Sequence, residues 1–170
     1  ADLDAARPGW LELVLSIAAP AGDRAFYDRI TAAYASTKRD DLREALSTGL
    51  GSFGATFAKP TIEAVARGDL PWAAAAGYFE HPATRLAAWR AMRDHLGEIM
   101  ARSTGDDAAK VVEAVATICD ATSRAQIAAA FEPRIAAIPD GRHVLDRVLA
   151  EIDRCVVRRT RAGEIAHALD

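Results

Sequence analysis

Apolar residues return along this chain at three- and four-residue steps, and no stretch alternates apolar and polar positions for long enough to make a strand. The clearest run is residues 81–102, where Leu86, Trp89, Met92, Leu96, Ile99 and Met100 are apolar with arginines between them. That spacing predicts one long helix, with Trp89 in its apolar stripe and therefore in the core.

The same reading predicts a helix at residues 10–18, between Pro8-Gly9 and Pro20. Asp23 caps a second, with Phe26, Tyr27, Ile30 and Tyr34 on one face. Asp41 with Glu44 reads as a capping box for a third, through about Leu50. Gly49, Gly51 and Gly54 then open a turn. Pro60 begins a fourth helix that ends at Gly68, Pro71 a fifth, and Pro82 the long sixth. After the break at "STGDD", Asp106 or Asp107 caps a seventh, whose apolar face is Val111, Val112, Val115, Ile118 and Cys119. Ser123 with Gln126 gives a capping box for an eighth, which Pro133 bends or ends after about Phe131. A last segment runs from about His143 to the terminus.

The expectation is therefore all-α: eight or nine antiparallel helices joined by short loops, in HEAT-like stacked pairs. No fixed-period repeat, linker or low-complexity segment is visible, so residues 1–170 read as a single helical domain.

Composition narrows this picture. Half of the 170 residues are hydrophobic (51%), many of them alanine, and only 6% are aromatic, which favours closely approaching helices. A net charge of −3 implies no field for nucleic acid. The longest apolar run, "WLELVLSIAAPA", carries Glu12 and falls short of the ~20 residues of a membrane span. The acidic opening, residues 1–4, does not read as a signal peptide. Cys119 and Cys155 are not a CxxC pair. Two half-buried helix cysteines is the plainer reading; a disulfide tying two helices, in an oxidising compartment, is the alternative.

Candidate chemistry is sparse. His81, His95, His143 and His167 stand too far apart for helical metal-ligand spacing, and there is no HExxH. "GLGSFG" lacks the full spacing of a nucleophile elbow and follows no strand, so it reads as a glycine-rich turn. Arginines cluster at Arg154, Arg158, Arg159 and Arg161, where 154, 158 and 161 share a helix face, and more weakly at Arg85, Arg90 and Arg93. A solvated face is the default; an anion-binding surface is the alternative. No residue is assigned a catalytic role.

The succession of "AGDRAFYDRI", "LGSF", "HPATRLAAWRAMRDHLGEIMAR", "ICDATSRAQIAAAFEPR" and "LDRVLAEIDRCVVRRTRAGEIAHAL" resembles the C-terminal helical domain of zinc aminopeptidases of the aminopeptidase N and puromycin-sensitive type. Gly22-Asp23 and Tyr27 match the family's opening; Pro82, Arg85, Ala88 and Trp89 its long helix; Cys119, Phe131 and Arg134 its third block; Ile152 and Cys155 its last. His95-Leu96 replaces the usual Asn-Trp, and Ala130 the first of two phenylalanines. The resemblance implies a superhelical, non-catalytic domain that closes over the peptide chamber. Its partners would be the catalytic domain of the same polypeptide and the distal end of a peptide substrate. Zinc would be the parent enzyme's cofactor, with none in this chain. It also suggests Arg85 first and Arg158 second as holders of a peptide carboxylate. A stand-alone helical-repeat interaction module is the competing reading, and the compartment, bacterial-type cytoplasm or periplasm, stays open.

Overall fold

The computed structural model describes residues 7–103 and 105–169, with side chains described as far as residue 164. Residues 1–4 and the side chain of His167 lie outside that description. Among the described residues all regular structure is helical: α1 (Pro8–Ala18), α2 (Arg24–Ser36), α3 (Asp40–Leu50), α4 (Ala58–Arg67), α5 (Ala73–Glu80), α6 (Arg85–Asp94), α7 (Leu96–Arg102), α8 (Asp106–Ala114), α9 (Ala121–Phe131) and α10 (Gly141–Leu169). Short 3₁₀ turns join several of them. The count exceeds the expected eight or nine because the long sixth helix breaks at His95, giving α6 and α7.

Local chemistry explains most boundaries. Asp23 accepts a 2.8 Å hydrogen bond from the Phe26 N–H and starts α2. Gly68, at φ 87°, ends α4 in a Schellman arrangement: Asp69 N–H donates to the Ala64 carbonyl and Gly68 N–H to that of Val65. Asp41 is not the cap of α3. It lies inside the first turn and binds Arg39 and the Leu42 N–H, while Arg39 occupies the cap position. Asp106 and Asp107 likewise sit in the first turn of α8, behind Gly105. Asp120, rather than Ser123, caps α9, accepting from the Ser123 N–H at 2.6 Å. Pro60 falls two residues inside α4, still in the first turn, where its missing N–H costs nothing.

The chain packs as two compact units, Ala1–Ile99 and Met100–Asp170. The division falls inside α7, so helix carries the chain across it and leaves no linker in the sequence.

The first unit is a two-layer stack. Helices α1, α3 and α5 lie side by side in one layer, α4 and α6 in the other, with α2 against α3 and α4 against α5. Small residues set how closely the helices of the first layer approach one another. A Cβ on Gly77 of α5 would sit 2.8 Å from the Gly51 carbonyl oxygen, and one on Gly49 of α3 2.5 Å from Leu15 of α1. Between the layers are Leu42, Leu46, Leu50, Phe53, Ile62, Tyr78, Phe79, Trp89 and Met92, all buried. Trp89 is thus a core anchor, as its stripe predicts.

In the second unit α10 is the spine against which α8, α9 and the turns after them pack. Val111, Val112, Val115, Ile118, Ile127, Phe131, Leu145, Val148 and Ile152 form its core. Three ion pairs fasten α10 to its neighbours: Arg147–Glu113, Arg142–Glu132 and Arg124–Asp153. Beyond Val156 the side chains of α10 are exposed as far as they are described.

Candidate functional site

Arg85 and Arg158 stand in different units, so neither unit by itself joins them into one anion site. Arg85 is the first residue of α6 and half-buried. The turn before it is fixed by Thr84, whose hydroxyl donates to the Tyr78 carbonyl at 2.5 Å. Its neighbours Arg90 and Arg93 are exposed, and Arg93 leans on Asp94 at 3.4 Å.

Arg158 is exposed on α10 and lines an open depression of about 380 Å³ with Asp153, Arg154 and Val157. The four clustered arginines are not equivalent. Arg154 pairs with Glu151 at 2.6 Å, which holds the Glu151 carboxyl below its ordinary range; the more distant Arg158 charge adds to that. Arg159 donates to the Cys119 carbonyl at 3.4 Å. Among the described residues Arg158 makes no ion pair. Like Arg161 on the same face, it is exposed and has donors to spare for a carboxylate.

Cys119 and Cys155 are bonded to each other, with Cα atoms 5.3 Å apart. The reading as free cysteines is therefore replaced by its alternative. Only Cys155 is helical; Cys119 sits in the extended connection before Asp120. The bridge ties that connection to α10 just past Ile152, the last fully buried residue of the spine. Both cysteines are half-buried, and Cys119 lines a surface pocket with Asp120, Ala121, Val156, Arg159 and Thr160.

Two features were not anticipated from the sequence. The first is a buried polar chain in the first unit. Tyr27 Oη lies 2.9 Å from Thr61 Oγ1, which lies 3.2 Å from Tyr78 Oη and donates to the Phe57 carbonyl at 2.9 Å. Burial pushes the Tyr78 phenol well above its ordinary value, despite the Thr61 bond, and the Tyr27 phenol adds to the rise. Around it Phe26, Tyr27, Phe53 and Phe57 pack ring against ring. Fully enclosed and uncharged, this chain is a structural network.

The second is the outward face of α1. Trp10, Leu13, Val14 and Ile17 are 65%, 51%, 53% and 72% exposed. They follow the i, i+3, i+4, i+7 spacing of one helical stripe, and α1 carries one charge, Glu12. The signal was available: α1 is apolar on nearly every side, and such a helix is ordinarily covered on every side.

No protein-family model, curated protein or solved structure matches the chain. Among the described residues no three His, Cys, Asp or Glu side chains converge to hold a metal. No helix there is long and apolar enough to cross a membrane.

Proposed function

We propose that this chain is the non-catalytic C-terminal helical domain of a zinc aminopeptidase, enclosing the peptide chamber and touching both the catalytic domain and the far end of the substrate. The reading rests on the ordered motif residues Gly22-Asp23, Tyr27, Pro82, Arg85, Trp89, Cys119, Phe131 and Cys155. The observation that favours it over a self-standing repeat module is the α1 stripe. A stand-alone helical array closes its ends with polar faces, and the outer face of α1 is apolar. Arg158, exposed and in no ion pair among the described residues, carries a guanidinium suited to a peptide carboxylate. The Cys119–Cys155 bond favours an oxidising compartment such as a periplasm. Zinc belongs to the catalytic domain of the parent.

The test is hydrolysis of a fluorogenic N-terminal amino-acid amide. The 170-residue chain alone is expected to be inactive. The polypeptide that continues through the coding region ahead of Ala1 is expected to show chelator-sensitive activity. An inactive longer polypeptide, or one unaffected by chelator, would sink the proposal.

A further inference from the structure

We infer that the apolar stripe of α1 is the contact through which two copies of this chain pair, α1 against α1, antiparallel about a two-fold axis. The inference goes beyond the peptidase reading, because pairing covers this face with or without a catalytic domain attached. Helix α1 ends the row α5, α3, α1 and meets α3 through the side that seats Leu15 against Gly49. At 3.6 residues per turn, Trp10, Leu13, Val14 and Ile17 point roughly 150° away from Leu15. Glu12, the one charge of α1, points away from them by about the same angle. The stripe therefore faces outward, and no like charges oppose each other when two stripes meet.

The stripe is also symmetric about its own midpoint. Positions 10 and 17 lie equally far from the point between Leu13 and Val14. An antiparallel copy centred there sets Trp10 against Ile17 of the second copy, and Leu13 against its Val14, at both ends alike. That self-matching is what a two-fold interface requires. The charges agree with this arrangement. Helix α1 has no basic residue in its last turn. An antiparallel copy brings its exposed Arg7 beside that end, where a cation is favoured. Weighted by ordinary side-chain areas, the four stripe residues expose on the order of 450 Å² per copy, a large patch for a monomer. Arg7, Gly9, Ser16, Ala18 and Ala21 are exposed around the stripe and are partly covered with it. With these margins a pair buries roughly 1,200 Å² in all, the lower end of a stable specific interface. Pairing through so small a contact is expected in the micromolar range.

The test is sedimentation velocity of the 170-residue chain from about 1 to about 100 μM. A reversible monomer–dimer equilibrium with its midpoint in that range is expected. Trp10→Glu and Ile17→Lys are each expected to weaken it by about tenfold or more, because each places a charge against the apolar stripe of the other copy. Circular dichroism is expected to keep its helical signal in both variants, since both side chains lie outside the core. Mixed in equal amounts, the two variants are expected to pair with each other. The new carboxylate at position 10 of one then meets the new ammonium at position 17 of the other, and the opposite end keeps its natural Trp10–Ile17 contact. A chain that stays monomeric, a dimer that both variants leave intact, or a mixture no better associated than its components would overturn the inference. Association that climbs past two copies without saturating would overturn it too, and would assign the stripe to nonspecific clustering. None of these outcomes reads peptide hydrolysis, so the two proposals fail separately.

Discussion

Reducing the Cys119–Cys155 bond perturbs the second unit at one known point, and the structure fixes the size of the effect. The two cysteines are 36 residues apart, so the bond closes a loop of that length in the unfolded chain. Chain entropy alone then makes the bond worth about 4 kcal/mol. The loop contains all of α9 and the first half of α10, so its ends are also where the second unit is held shut. Core burial stops at Ile152, and beyond Val156 the described side chains of α10 are exposed. Loss of the bond should therefore fray α10 back toward Ile152 and free the connection around Cys119. The assay is thermal unfolding by circular dichroism with and without dithiothreitol, beside a Cys119→Ser/Cys155→Ser double variant. A fall of roughly 10 °C is expected in reductant, matched by the double variant, which reductant should not move further. Two titratable thiols in the untreated, denatured protein would refute the reasoning at its root. An unchanged melting temperature on full reduction would refute the magnitude.

The remaining predictions concern both units. Thr61→Val keeps the shape of the side chain but strands the phenols of Tyr27 and Tyr78, and should cost about 1–3 kcal/mol in urea unfolding. Adding Tyr78→Phe should recover part of that loss; a purely additive double variant would contradict the network. Gly77→Ala drives a methyl into the backbone of Gly51, which cannot step aside, and should cost about 2 kcal/mol or more, read the same way. The carboxyls of Glu132, Asp41 and Glu151 are each held below their ordinary range, first by hydrogen bonds from Arg142, Arg39 and Arg154. A lowered folded-state pKa means stability that is present above the unfolded carboxyl range, near pH ~4, and lost as pH falls through the folded value. The melting-temperature gap between wild type and Arg142→Gln should therefore be widest near neutrality and close in acid. A gap that widens in acid would reverse the sign.

What could be read from the sequence was local. Asp23, Gly68 and Phe131 mark helix ends in the structure because a cap, a left-handed residue or a following proline acts within a few residues. Trp89 is buried because its neighbours at helical spacing are apolar too. The starts of α3 and α9 differ from the capping pattern by one to three residues. Asp41 was taken by Arg39, and Asp120 reached the Ser123 N–H first. The break at His95 left no breaker residue in the pattern. The longer-range features were less legible. Thr61 meets Tyr78 across 17 positions and Tyr27 across 34, and no spacing rule connects them. Whether Cys119 reaches Cys155 depended on how α9 folds back on α10. Arg85 and Arg158, the first and second choices for holding a carboxylate, fall in separate units, which no local pattern in the sequence reveals.

The central claim is that this helical array serves chemistry carried elsewhere in its polypeptide. The most direct measurement is to sequence and translate the coding region immediately ahead of Ala1. The account predicts an open frame that encodes HExxH with a further zinc-ligating Glu downstream of it. A start codon in that position, with no such motif in the frame, would contradict it.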